Sequence, residues 1–440
     1  MIKKRAYGIL FVLFLGLIES FIYDLYGYQI LTFFFLTAIL IIGADIWILN
    51  HSTFKSIRNL EVKRRMERTE IKKGDSVKVE LIIHNPNVRT VEFEYFDTLA
   101  DIFTLSGKYS GREVIKAKST LTLEYSISPE AIGKYKVGPL KIIANDGLGL
   151  AYIEFVANQV ETVRIGPSSK DTYMQRSERL SNVLFMNGIH ISKKAGLGYN
   201  FFGLRAYNES DEMRRVAWNR YNIYGNEELF VKEFEEERQI DVIIVLDYSI
   251  GSNLGFGGKR IFDFMVTTSI NATYTILKNQ DRVGFVIISS EIEIYIKPSS
   301  RNEAINTLQR TVSDIRPSGT FNIGIANNFI RKNIKKNAMI FMLLSPNSAK
   351  DVATLTPSDL RMDKQEYVYV ISSRSFYNIP SDRNIELLGH SLLDSEDKTI
   401  STNVKFFRKF GLVARFVKSE TTLPVLLTDY ANGRDANRGA

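Results

Sequence analysis

Asp247 and Ser249 stand two residues apart in the run Asp247-Tyr248-Ser249-Ile250-Gly251-Ser252, directly after the continuous apolar stretch 240–246. A carboxylate and a hydroxyl so spaced at the end of a buried strand can face the same crevice. Oxygen donors of this kind suit a hard cation such as Mg²⁺, which asks for near-octahedral geometry and keeps several waters. Thr320, in Ser318-Gly319-Thr320 ahead of a helical stretch, supplies a further hydroxyl. Asp247, Ser249 and Thr320 are therefore the candidate metal ligands, and Mg²⁺ the candidate ion. Gly251 and Ser252 follow, and the apolar run ending at Leu344 continues with Ser345-Pro346. The bland alternative is a crevice in which Asp247 and Ser249 only cap turns.

Other chemistries are excluded by counting. The 440 residues contain no Cys and four His (His51, His84, His190, His390), widely scattered. Disulfides, thiolate sites and cysteine nucleophiles are ruled out, and a Ser-His-Asp triad is disfavoured. Residues 254–260 are glycine-rich but lack the early Gly of a phosphate loop, and Arg260 stands where Ser or Thr belongs. The charge run 233–238 reads as a solvated face. No nucleophile–base pair is visible, so the chain reads as a non-enzyme.

The formal charge is +8, and its placement names the partner. Residues 6–54 hold no Lys or Arg, while Lys3, Lys4 and Arg5 precede them and Lys55, Arg58, Lys63, Arg64, Arg65 and Arg68 follow. Two apolar runs, about 7–22 and 28–49, fill the gap and are joined by a short acidic link. A spanning helix needs about 20 residues. The pattern reads as a transmembrane helical hairpin with both basic flanks in the cytoplasm. Glu19 and Asp45 would lie at opposite depths, as acids reaching the interface. The basic cluster then needs only an anionic leaflet, and no nucleic acid.

Behind this anchor (1–54), residues 66–165 alternate with β-branched residues between turn signals and read as an all-β sandwich. From residue 239 to about 430 strands alternate with helices, as in an α/β doubly wound sheet, which binds ligands beyond the carboxyl ends of its strands. The polar tail from 432 reads as frayed.

The Asp-x-Ser spacing followed by Thr320 resembles the von Willebrand factor A fold and its metal-ion-dependent adhesion site, from whose motif this chain departs at Gly251, with Ser252 beside it, and in lacking the final Asp after Leu344. The linking segment, 166–238, carries Phe201, Leu204, Arg205, Tyr207, Asp211, Arg214 and Trp218. This pattern resembles the family called domain of unknown function 58, with Ser210, Glu212 and Ala217 departing from its usual Gly, Asp and Asp. The residues themselves suggest a network of Arg205, Asp211 and Arg214 pinning the segment to the α/β domain, with Tyr207 and Trp218 buried beside it; a partner-binding surface is the other reading. The resemblance implies a membrane-anchored, cytoplasm-facing interaction scaffold, associated with a MoxR-type AAA+ ATPase in assembling or maturing other proteins. In an intact site a cation would complete its shell with a partner's carboxylate. The alternative is an outward-facing adhesion or ligand-binding module using the degraded site.

Overall fold

The computed structural model describes residues 2–24, 29–168, 195–220, 229–235, 239–256, 258–334, 338–350, 365–380 and 382–439. They divide into two units, Met1–Gly166 and Pro167–Ala440.

In the first unit, α1 (Lys4–Asp24) and α2 (Gln29–Ile48) pack against each other as a helix pair. Gly16 lets them close: a Cβ there would lie 2.5 Å from the Phe35 ring. Phe11, Phe14, Phe33, Phe34 and Ile41 all stay exposed, so the outer surface of the hairpin is apolar and uncovered by protein. Among the described residues one helix, Thr32–Arg58, is long and apolar enough to cross a membrane. Part of the acidic link, residues 25–28, lies outside the described residues.

Below α2 the helix continues. A π-helical turn (Leu49–Thr53) leads into α3 (Phe54–Arg58), with His51 stacked on Trp47 at 5.2 Å. Leu49 and Ile57 point away from any lipid and join the sandwich core. That core lies between two sheets. One has the order β1 (Glu61–Met66), β3 (Val77–His84), β7 (Thr120–Pro129), β5 (Phe103–Gly107). The other runs β2 (Glu70–Lys72), β10 (Glu161–Gly166), β8 (Gly133–Asn145), β4 (Val91–Leu99), β6 (Ser110–Ile115), with β9 (Tyr152–Ala157) on β8. The alternation of Val77, Val79, Leu81 and Ile83, all buried, with polar neighbours makes β3 a one-sided strand. Pairing is antiparallel except for β2 with β10.

Two sequence expectations are corrected in this unit. The basic cluster does not all face lipid: Lys63, Arg64 and Arg65 lie on β1, and the sandwich begins there, ahead of residue 66. Arg64 is drawn inside because a buried acid from the other sheet needs it. Its Nη2 donates to Asp97 Oδ1 at 2.5 Å, its Nη1 to the carbonyls of Val137 (2.7 Å) and Gln159 (2.6 Å), and Tyr125 Oη donates to Asp97 Oδ2 at 2.5 Å. Burial, and then the Asp97 charge, push the Tyr125 hydroxyl well above its ordinary pKa. Gly138, at φ +98°, is required here, since a Cβ would sit 2.3 Å from Arg64 Nη1. Asp45 is also corrected. It is no loose interfacial acid but accepts from the backbone N–H of Leu148 (2.9 Å) and Gly147 (3.3 Å) in the β8–β9 turn.

The second unit is built on a six-stranded sheet. In chain order its strands are β13 (Asp241–Asp247), β16 (Arg282–Ile288), β17 (Glu293–Ser299), β18 (Met339–Leu344), β19 (Gln365–Ile371) and β20 (Val413–Val417). Their spatial order is β17-β16-β13-β18-β19-β20, all parallel except the edge strand β17. The Val-Ile-Ile-Val-Leu run of β13 is apolar throughout because both faces are covered. Ile323–Asn333 and Arg383–Lys409 cover one face, through Ile323, Ile330, Ile400, Val404 and Phe407. Ile261–Lys278 and Ser419–Gly439 pack on the other. Glu303–Asp314 packs beside β16 and β17. Ahead of the sheet, β11 (Ala195–Ala206) pairs with β12 (Phe230–Glu235), and a small hairpin, β14 (Gly255–Phe256) with β15 (Lys259–Arg260), follows β13.

The tail from 432 does not fray as expected. It continues the last helix, where Gly433 is buried against Met339 and Tyr367, and Arg434 meets Asp281 Oδ2 at 3.0 Å and the Asn279 carbonyl at 2.8 Å. Asp281 also takes Tyr430 Oη and the Ile240 N–H. One turn earlier Asp429 accepts from Tyr369 Oη (2.8 Å) and twice from Arg415 (2.6 and 2.9 Å).

Removing Arg64 by Arg64→Ala strands a buried carboxylate and should destabilise the sandwich by about 3–5 kcal/mol. Urea unfolding of the detergent-solubilised chain, read from sandwich tyrosine fluorescence, would show a lowered midpoint; an unchanged midpoint would mean Asp97 has another cation partner.

Candidate functional site

The carboxyl ends of β13 and β18 lie side by side, and this places Asp247 beside the loop that follows Leu344. Asp247 is fully buried and Ser249 nearly so. Asp247 Oδ1 accepts the Ser249 N–H at 3.0 Å. Asp247 Oδ2 accepts the Ser345 N–H at 2.9 Å and the Ser348 hydroxyl at 2.6 Å. Ser348 Oγ in turn lies 3.0 Å from Ser345 Oγ and 3.3 Å from Ser249 Oγ. Three hydroxyls therefore gather over one acid. The structure brings Asp247 and Ser249 together as expected.

Thr320 is placed differently. It is exposed, and its N–H and hydroxyl meet Ser290 Oγ at 3.0 and 3.4 Å. The loop carrying it is nonetheless fastened to the β13 end, through Ser318 N–H to the Tyr248 carbonyl and Ile250 N–H to the Gly319 carbonyl, both 3.0 Å. Gly319, at φ +69°, keeps this loop close: a Cβ would stand 2.6 Å from Ser290 Oγ.

The departures at Gly251 and Ser252 have a steric cause. A Cβ at residue 251 would lie 2.9 Å from the Asn347 Cβ and 3.2 Å from Ser345 Oγ. The loop 345–349 has moved into the space a side chain would take. Ser252 does not replace the missing hydroxyl, because it is buried and donates to the Ser249 carbonyl at 2.7 Å. Asp247 thus has both oxygens engaged by N–H and O–H donors. Among the described residues no group of three or more His, Asp or Glu is placed to hold a metal. Oδ2 takes two donors and Oδ1 one, so the acid is held by its own protein. Ser345, Ser348 and Ser290 were not expected to take part; the signal for the first two was the Leu344-Ser345-Pro346-Asn347-Ser348 run at a strand end.

Ile250 and Phe256 are each 65% exposed, and the Phe256 N–H donates to the Phe376 carbonyl at 2.9 Å, next to the exposed Tyr377.

The signature segment forms its own small network. Arg205 grips Asp211 with two N–H donors, one to Oδ2 at 2.6 Å and one to Oδ1, and its Nε meets Glu233 of β12 at 2.9 Å. The Asn208 N–H adds a 2.8 Å bond to Asp211 Oδ2. The Arg205 guanidinium, with the Asn208 N–H, holds the Asp211 carboxyl at about 2. Glu233 thus belongs to this network and is not merely part of a solvated face. Arg214 was expected in the network and is exposed outside it, where Arg215 pairs with Glu212 at 3.5 Å. Trp218 was expected to be buried and is 54% exposed, as are Phe201 and Met213 at 58%. Leu204 and Tyr207 are half-buried.

Residues 203–356 match the family model described as protein of unknown function DUF58. The DUF58 match takes in both the Arg205–Asp211 pair and the Asp247 crevice. No curated protein matches the chain. Among solved structures, an aerotolerance-related membrane protein from Bacteroides fragilis is similar at 14% identity, covering 44% of this chain and 99% of that one, with a TM-score of 0.27. A FixG-related protein from Vibrio parahaemolyticus is similar at 12% identity, covering 24% of this chain and 94% of that one, with a TM-score of 0.18.

Two outcomes follow from this geometry. Gly251→Ser forces the 345–349 loop outward and should cost about 1–3 kcal/mol, seen as a lowered midpoint of thermal unfolding; an unchanged midpoint would mean that the loop yields freely. For Asp211 the folded pKa lies below the ordinary value of 3.8, at about 2. Its contribution is therefore complete above pH 4 and is lost as the pH falls toward 2. Protection of the Asn208 amide from hydrogen exchange should hold from pH 7 to 4 and decline below that, and Asp211→Ala should abolish it at every pH.

Proposed function

We propose that this chain is a membrane-anchored interaction scaffold, not an enzyme, and that it grips a protein partner at the Asp247 crevice of a doubly wound, von Willebrand factor A-like domain. The observation that carries the reading is the finish of that crevice. Its acid accepts from two backbone N–H groups and from Ser348, hydroxyls gather over it, and the exposed Ile250 follows Ser249 directly. Exposed apolar anchors around satisfied polar groups are the composition of a protein contact. A general base needs reach to a substrate proton, and Asp247 is fully buried with both oxygens occupied.

The partner we propose is a MoxR-type AAA+ ATPase acting in the assembly or maturation of other proteins, on the strength of the DUF58 resemblance. In this reading both α1 and α2 cross the membrane and the large C-terminal region faces the cytoplasm. The arginine and lysine residues on either side of the helix pair support that orientation. The contact runs without a cation, because the donor set already answers the acid.

Gentle solubilisation followed by capture of the full-length chain, once with Mg²⁺ and once with chelator, tests this. An AAA+ ATPase should be recovered in both conditions, and Ile250→Glu, at an exposed position that leaves the fold intact, should reduce its recovery. Recovery confined to Mg²⁺ would overturn the cation-free contact, and absence of any ATPase would overturn the choice of partner. Protease digestion of intact cells separates this reading from an outward-facing adhesion module, which would be cut.

A further inference from the structure

The β8–β9 turn, residues 145–151, is held by both ends of the helix pair at once. On the α1 side the Lys3 N–H donates to the Leu150 carbonyl at 2.8 Å, Lys3 Nζ donates to Asn145 Oδ1 at 2.9 Å, and Ile2 bridges to Ala151. On the α2 side Asp45 accepts from Gly147 and Leu148. Ala6, Ile42 and Leu150 form a small core of their own between the helices and the turn. The depth of the turn is thereby fixed by the helices themselves. Lys3, Lys4 and Arg5 must stay among headgroups at the start of α1. Asp45 lies three residues inside the end of α2, which at 1.5 Å per residue is about 4.5 Å deeper than Ile48. α2 has 20 residues, close to the thickness of a hydrocarbon core.

At that depth the turn presents Leu148, an apolar side chain 51% exposed. A second sandwich loop flanks the same helix a little lower. Arg89 Nη1 donates to Ser52 Oγ at 3.0 Å and Asn87 Nδ2 to the Ser56 carbonyl at 2.7 Å, and between them Val88 is 79% exposed. Trp47 and Ile48 stand exposed between the two levels, and Arg89 and Lys55 bring positive charge to the lower one.

We infer that this end of the sandwich is a lipid-contacting surface: Leu148 enters the interfacial layer of the bilayer beside α2, and the Val88–Arg89 loop rests among the headgroups. The occupant is the bilayer because the loops are continuous with the membrane helices and are bonded to them at membrane-boundary positions. The sandwich is then not a strut standing clear of the membrane but a foot planted in it. The inference rests on the reading of α1 and α2 as membrane helices.

The natural absence of Cys makes single labels straightforward. The full-length chain is placed in phospholipid nanodiscs with an environment-sensitive dye at Leu148→Cys, at Val88→Cys as a second reporter, at Phe34→Cys within α2, and at Lys72→Cys. Lys72 pairs with Gly166 near the Gly133 end of β8, roughly 40 Å along that strand from Asn145. The dye at 148 should show blue-shifted emission and be quenched by lipids carrying spin labels near the headgroup. The dye at 88 should be quenched by the same lipids more weakly, the dye at 34 by labels near the bilayer centre, and the dye at 72 by neither. Water-like emission at both 148 and 88, with 34 still quenched, would overturn the inference and leave the anchor standing. Water-like emission at 34 as well would overturn both.

Discussion

A carboxylate removed from water must have its oxygens answered by the protein, and much of this architecture follows from where the chain buries its aspartates. Asp97 draws Arg64 and Tyr125 across the sandwich and so ties the two sheets at one point. Asp281 and Asp429 each collect a tyrosine and an arginine and hold the last helix to the sheet. Asp45, only half-buried, follows the same rule in milder form: it takes two backbone donors from the β8–β9 turn and fastens the sandwich to α2. Left unpaired, a buried charge of this kind costs several kcal/mol. The partners are therefore part of the fold and not decoration on it.

Asp247 obeys the same rule at the site of greatest functional interest. Its answers come from a loop, 345–349, that occupies the space beside Gly251. One acid with three donors and three gathered hydroxyls is a finished site. Its packing accounts for the glycine at 251 and for the serine that follows Leu344.

Much of this was legible in the sequence. The apolar run of β13, the alternation in β3 and β7 and the long apolar helix α2 all follow from periodicity and length. Strand β1 was hidden because Lys63, Arg64 and Arg65 look like a lipid-facing cluster; only the distant Asp97 and the carbonyls of Val137 and Gln159 make Arg64 an interior residue. The last helix was hidden because residues 432–439 are polar, and it is Asp281 that fixes Arg434 there. In the crevice, Asp247 and Ser249 were found by spacing. Ser345 and Ser348 come from about a hundred residues away, and nothing local says that their donors turn back toward Asp247. Trp218 shows the reverse error, since an aromatic residue in a patterned segment invites burial and this one stands open.

The arrangement of the last helix also has a consequence for the order in which the chain matures. Every strand of the sandwich, and every partner of Asp97 and Asp45, lies within residues 3–166. That unit can fold while later segments are still being made, in the way that domains fold N-terminal first. The sheet of the second unit cannot. Over β18 and β19 the face carrying Tyr369 is completed by Leu426, Leu427, Asp429 and Tyr430 of the last helix, so these two strands keep one apolar face open until residues 419–439 have been made. In a nascent chain of this design the sandwich is already folded while that half-face is still open.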